Sequence, residues 1–287
     1  MDHHSLESLH AGPWAITPNR LPFLKDLLMR GSGDSSTMRA TSAIERPAYT
    51  ATGAVAVLRL YGTLVPRASD FAEKFGLLGI QRFSQSLRAA LVDDTIRGIV
   101  IDLDSHGGSA FGVEELADQI FRARRSKPIF AVANSVAASG AYWIGSSASE
   151  LYVTLGGEVG SIGVHTLHEN RSNALGKAGI STTLISAGKF KVEGSPFAPL
   201  TVAAKKHRQS EVDTRYGAFT RAVARNRGVD VSTVRDGMGQ GRVLDAQSAL
   251  AEGMVDGIAT FDQVLGKLAR RVGQRTTGDT AILRLIN

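Results

Sequence analysis

An α/β architecture with a mostly parallel sheet and a helical C-terminal region is predicted by three features of the chain. Short apolar runs alternate with amphipathic helical patterns between residues 53 and 260, which calls for strands joined by helical crossovers. Two of those runs end in small-residue turns directly before a helix start. Beyond residue 200 the pattern becomes chiefly helical.

Taken in order, residues 1–52 read as a polar, mixed extension with one short amphipathic stretch at 21–29. Its second half, 31–52, is rich in Gly, Ser, Thr and Ala and reads as a flexible linker. Strand-like runs are predicted at 54–60, 97–103, 128–134, 150–154, 162–165 and 181–186. Helical patterns fall at 79–92, 109–125, 138–148 and 167–178. Residues 201–227 form a long helix candidate whose apolar positions Val212, Tyr216, Phe219 and Val223 follow helical spacing. Residues 243–258 read as a helix followed by a short strand, and 272–287 as a loose tail. One functional domain is therefore expected over 53–271, with no internal repeat.

Composition narrows the chemistry. At 287 residues, 43% hydrophobic and 21% charged, the chain has the profile of a soluble globular protein. It has no cysteine, which excludes disulfides, thiolate metal sites and a cysteine nucleophile together. Covalent catalysis is left to hydroxyl, amine or carboxylate groups. The histidine spacing does not resemble a metal site, and no cofactor is expected. The formal charge of +6 comes largely from runs after residue 200, which read as solvated helix faces. Few aromatics lie among those charges, so no base-stacking platform and no specific nucleic-acid binding are expected. No apolar run approaches the ~20 residues that cross a bilayer, and 1–30 has no signal-peptide core, so a cytoplasmic, membrane-free protein is expected.

Two segments carry candidate chemistry. In Asn134-Ser-Val-Ala-Ala-Ser-Gly-Ala-Tyr-Trp143, a buried strand leads through a small-residue turn into a helix that starts at Ser139. A hydroxyl at a helix N-terminus lies beside free N–H groups that can hold an oxyanion. The same Ala-Ser-Gly-Ala equally fits a tight helix-packing contact. Upstream, the strand Ile99-Val-Ile-Asp-Leu-Asp104 ends in Ser105-His-Gly-Gly-Ser109, where Gly107 and Gly108 let the backbone turn and aim N–H groups into a cleft. Asp102 and Asp104 read as strand-end polar residues. A serine needs a base, and a lysine in a dry pocket can be one. Lys189 and Lys191 flank Phe190 in Gly188-Lys-Phe-Lys-Val-Glu-Gly-Ser-Pro-Phe197. In an extended segment both would project opposite that ring, so periodicity does not choose between them. Ser161, between two glycines, is either a turn serine or a hydroxyl that holds the lysine amine. His165, with His106 and His168 behind it, offers the rival base.

An ordered set of landmarks resembles the signal peptide peptidase A family of Ser–Lys peptidases, and within it the phage capsid assembly (prohead) proteases. The set comprises Val55-Ala-Val-Leu-Arg-Leu-Tyr-Gly-Thr-Leu-Val-Pro66, Asp104-Ser-His-Gly-Gly108, Ala138-Ser-Gly140, Gly160-Ser-Ile-Gly-Val164, Gly188-Lys-Phe-Lys-Val-Glu-Gly194 and Ala249-Leu-Ala-Glu-Gly-Met-Val-Asp256. Many members carry proline where this chain has His106. The resemblance implies a ClpP/crotonase-like spiral of ββα units and a homo-oligomeric ring in which neighbouring subunits can supply the serine and the lysine. It implies Ser139 as nucleophile, Lys191 rather than Lys189 as base, and the N–H groups of Gly107 or Gly108 and of Gly140 as the oxyanion hole. Protein substrates such as capsid, portal or scaffold proteins would follow, met in a host cytoplasm or an immature head. The chain is expected to need a separate scaffold, which some related phage proteins carry as a following segment. Alternatives stay open: a host-type signal-peptide or quality-control peptidase with the same dyad, a ClpP-like triad using His165, a crotonase-like acyl-CoA enzyme needing neither Ser139 nor Lys191, and a non-catalytic assembly subunit.

Overall fold

The computed structural model describes residues 13–17, 50–52 and 54–285. In chain order they form β1 (Trp14–Ile16), β2 (Thr50–Thr52), β3 (Val55–Tyr61), β4 (Thr63–Val65), α1 (Asp70–Lys74), β5 (Leu77–Gly79), α2 (Ile80–Val92), β6 (Gly98–Ser105), β7 (Gly107–Ser109), α3 (Val113–Ala123), β8 (Ile129–Ala138) and α4 (Gly140–Ser146). There follow β9 (Glu150–Val153), β10 (Glu158–Gly160), α5 (Ser172–Lys177), α6 (Val202–Arg227), α7 (Val231–Asp236), β11 (Val243–Asp245), α8 (Ala246–Ala251), β12 (Gly257–Ile258) and α9 (Phe261–Leu285).

The main sheet has the order β11-β10-β8-β6-β3-β2, with β9 added to β8 and β12 to β9. Its centre is parallel: β3 with β6, β6 with β8, and β8 with both β9 and β10. Edge strands β2 and β11 run antiparallel. The central strands are nearly unbroken apolar runs because helices cover both faces. On one face Ile99, Ile101 and Leu103 pack with Leu87, Leu116, Ile120 and Trp143 of α2, α3 and α4. On the other, Val100, Phe130 and Val132 meet Val264, Leu268 and Val272 of α9. A second, smaller sheet has the order β1-β7-β4-β5 and stands where β3 and β6 hand the chain on to β4 and β7.

Helix α6 starts at Thr201, whose Oγ1 accepts from the Ala204 N–H at 3.1 Å, and stops at Gly228, which takes a left-handed φ of 69°. Phe219 on this helix stacks on Trp143 of α4, with ring centroids 4.6 Å apart and 7° between planes. Asn226 donates to the Ser146 and Ser147 hydroxyls, and the Tyr142 hydroxyl donates to the Met254 carbonyl. The long helix therefore clamps the short one that begins at Ser139.

The α/β reading holds, with local corrections. The helix expected from 109 begins at Val113, because Gly107–Ser109 joins the second sheet as β7. No strand forms at 162–165 or 181–186; the parallel partner of β8 is Glu158–Gly160 instead. Of the helix expected at 167–178 only Ser172–Lys177 is present, and it buries no residue. The helix α9 continues to Leu285, through residues read as a loose tail. Asp102 is not a strand-end residue: it is buried in mid-β6, accepts from the Tyr61 hydroxyl, and burial holds its carboxyl above the usual range. The amphipathic stretch at 21–29 lies outside the described residues.

Candidate active site

Two parallel strands end side by side, and each is followed by a serine in a conformation unusual for a side chain. The β8/β10 register pairs Ala138 with Gly160, so Ser139 and Ser161 each stand one step beyond a matched pair. Ser139 has φ 56° and Ser161 φ 53°; among described residues only Met238 and Gln240 are other non-glycines with positive φ. Such backbones cost a non-glycine residue on the order of 1–3 kcal/mol and persist where surroundings impose them. Here the imposing bonds are visible. The Ser139 N–H donates to the Gly160 carbonyl at 2.6 Å, and the Ser161 N–H to the Arg242 carbonyl at 2.7 Å. Both serines are buried. The Ser139 hydroxyl has the Gly163 carbonyl at 3.5 Å.

The glycine turn arrives from the other side. The Gly107 N–H is spent on the Ser105 hydroxyl at 3.1 Å, and that hydroxyl donates to the Gly62 carbonyl at 2.6 Å. The Gly108 N–H belongs to the hydrogen-bonded Ala15/Gly108 pair of the β1–β7 ladder, so of the two glycines it is the one that faces a peptide carbonyl. Gly107 takes φ 88°, and a Cβ there would overlap the Ala15 carbonyl oxygen and stand 2.9 Å from the Gly140 nitrogen. A Cβ on Gly108 would run into the backbone of Leu64. Both glycines are thus demanded by close backbone approach, and Gly107, Gly140 and Ser139 converge on one spot.

The two candidate bases are placed differently. His165 lies just past this spot, with its backbone bridged to Trp14 in both directions, at 2.8 and 3.0 Å. Burial holds its imidazole below the usual histidine range, so it is neutral at pH 7. Lys191 is exposed, and its N–H closes a turn onto the Gly188 carbonyl at 3.1 Å. The segment is turned rather than extended, so Lys189 and Lys191 do not share a face by strand alternation. No described hydrogen bond or ion pair joins Lys191 to Ser139. One chain by itself therefore brings together Ser139, Ser161, Gly107, Gly108, Gly140 and the His165 backbone, and leaves Lys191 at the surface.

The sequence reading missed one participant. Residues 13–17 lie within the polar extension, yet Trp14, Ala15 and Ile16 are buried against the glycine turn as β1. The available signal was Pro13-Trp14-Ala15-Ile16, a local apolar cluster in a polar stretch.

Residues 122–275 match the model of peptidase family S49, a span that includes Ser139, Ser161, His165 and Lys191. Among curated proteins, the chain is similar to head-tail preconnector protein GP5 of Enterobacteria phage P21, at 32% identity over 82% of this chain and 47% of that one. It is also similar to capsid assembly protease C of Escherichia phage lambda, at 32% identity over 87% of this chain and 61% of the relative. Protease 4 of Haemophilus influenzae is 28% identical over 82% of this chain and 37% of its own length. The chain spans about half the length of these relatives.

Proposed function

The chain belongs to peptidase family S49, and on that premise we propose that it is a serine endopeptidase with a Ser139–Lys191 dyad. The observation that carries this reading is the strained, buried Ser139 beside Gly108 and Gly140. In the proposed cycle the Lys191 amine takes the Ser139 proton as Oγ adds to the scissile carbonyl. The Gly108 and Gly140 N–H groups hold the resulting oxyanion, a donor each worth about 2.7–4 kcal/mol in comparable sites. The protonated lysine then gives its proton to the leaving amine, and water releases the acyl group by the reverse route. Ser161, on the neighbouring strand end, would orient the amine.

The exposed Lys191 favours a site completed by a second subunit. From 163 to 203 no residue is buried, although Ile180, Ile185, Phe190 and Phe197 lie there with relative exposures of 53%, 95%, 61% and 40%. Exposed large apolar side chains gathered in one segment without a buried residue support an interaction site there. We take it as the contact between copies in a ring of ClpP-like, ββα-spiral subunits, where a neighbour's lysine would reach Ser139 and become desolvated.

The likeness to the two phage proteins supports capsid, portal or scaffold proteins as substrates; the Protease 4 likeness supports the alternative of signal-peptide or quality-control cleavage. No helix among the described residues is long and apolar enough to cross a membrane. The test of the core reading is Ser139→Ala: proteolysis of an unfolded protein should fall at least ~10³-fold with circular dichroism unchanged. Turnover equal to the parent would remove Ser139 from the mechanism.

A further inference from the structure

Strand β1 fills a slot rather than covering an edge. On one side it pairs antiparallel with β7, with Trp14 opposite Ser109, Ala15 opposite Gly108 and Ile16 opposite Gly107. The ladder is closed by Ala110 N–H to the Pro13 carbonyl and Thr17 N–H to the His106 carbonyl, both at 3.2 Å. On the other side Trp14 exchanges both backbone hydrogen bonds with His165. Without this strand, β7 would be an edge strand of its sheet, since its other partner is β4 alone. An open edge of this kind accepts an extended peptide through main-chain bonds. Side chains add to the fit: Trp14 and Ile16 are buried with Leu77, and Ala15 is fully buried.

The position of the Ala15 carbonyl is what gives the slot a function. Its oxygen lies against Gly107, and a Cβ on Gly140 would stand 3.3 Å from it. These glycines flank Ser139, which is fully buried. A peptide substrate needs the same three things from this slot: strand pairing along β7, a carbonyl between the two glycine turns, and a second edge at residue 165.

We propose that residues 13–17 are a built-in peptide ligand that occupies the substrate slot in cis, in substrate register with Ala15 at the scissile position, and holds Ser139 closed until displaced. This rests on the reading of Ser139 as a peptidase nucleophile. The slot then selects extended peptides with a small residue opposite Gly108 and apolar residues on either side. Because the strand is part of the same chain its binding is intramolecular, so a free peptide competes poorly against it.

The chain has no cysteine, which allows a reversible lock. Because 13/110 and 17/106 are the hydrogen-bonded positions, 14/109 is a non-hydrogen-bonded pair with close Cβ atoms, suited to a disulfide. The pair Trp14→Cys with Ser109→Cys is made in the full chain and oxidised, and the bridge is checked by mass spectrometry. Binding of a labelled Gly-Pro-Trp-Ala-Ile-Thr-Pro peptide is read by fluorescence anisotropy in a Ser139→Ala background, where it does not depend on catalysis. The locked form should bind the peptide roughly ten-fold more weakly than the reduced form, and the unlocking variant Trp14→Ala with Ile16→Ala roughly ten-fold more tightly than its parent. With Ser139 intact, locking should suppress proteolysis reversibly.

A bridge that does not form, a locked chain that binds and cleaves like the reduced one, or a peptide that binds no form would each overturn the proposal. So would cleavage of the chain after Ala15, which would make the strand a substrate. Failure of the peptidase reading is a separate result: peptide competition would persist while Ser139→Ala left hydrolysis unchanged.

Discussion

Ser139 holds φ 56° and ψ −119°, a backbone that glycine adopts freely and serine does not. Replacing it by glycine should therefore relieve strain while deleting the proposed nucleophile. Ser139→Gly is expected to raise stability by about 1 kcal/mol, after glycine's own entropic cost, and to abolish activity. A urea titration beside a proteolysis assay checks both; a glycine variant less stable than Ser139→Ala would show that the surroundings impose no strain. The choice of base is also made at this scale. Lys191→Ala should remove activity at every pH, and His165→Ala should only reduce it. His165 separately predicts a stability signature. Burial lowers its folded-state pKa, so the unfolded chain binds the proton more readily. Stability from this residue is present above the unfolded value of about 6.5 and is lost as pH falls below it. His165→Gln should flatten the urea midpoint between pH 7 and pH 5 relative to the parent; an unchanged slope would remove this residue as its source.

At the scale of elements, β7 is placed by what it lacks. Its Gly108 lies so close to Leu64 of β4 that any Cβ collides with backbone, and backbone cannot rotate away as a side chain would. Gly108→Ala should cost about 1–3 kcal/mol in stability, with a loss of turnover larger than that destabilisation explains, because the strand and its N–H shift together. Comparison of kcat/KM with the urea midpoint separates the two effects; a stable variant with parental turnover would dismiss Gly108 as donor. Helix α4, only seven residues long, depends on its neighbours for orientation. The Trp143–Phe219 stack and the Asn226 bonds hold it from α6, so the long helix fixes the direction of the short one that begins beyond Ser139.

For the molecule as a whole, the run without a buried residue from 163 to 203 is the feature that sets the proposed mechanism. A segment with no core of its own orders on a partner or opens locally. Mixing Ser139→Ala with Lys191→Ala, each inactive alone, under conditions of subunit exchange should recover activity if the dyad forms between chains. With exchange confirmed by native mass spectrometry, continued inactivity would place the dyad within one chain. A fully active monomer by light scattering would end the requirement for assembly.

The sequence by itself determined the central sheet and its crossover helices. Runs such as 99–101 and 129–133 are apolar on both faces, and between amphipathic helical patterns they call for a parallel sheet covered on both sides. It also supplied the long helix Val202–Arg227, whose apolar spacing is a local signal. Ser139 and the glycine pair were legible for the same reason, since strand, small-residue turn and helix start are contiguous in the chain. The tertiary structure alone decided the rest. That Gly107 spends its N–H on Ser105, and that Ser161 comes to stand beside Ser139, depend on packing and strand register, which local sequence does not encode. The apolar residues of 181–186 have the residue types of a buried strand, yet Leu184 and Ile185 are exposed, and burial is a property of the tertiary structure that local sequence does not encode. Trp14–Ile16 looked like part of a polar extension because three residues have no periodicity to read. Their place as a strand comes only from a slot built by residues about 90 and 150 positions further along the chain.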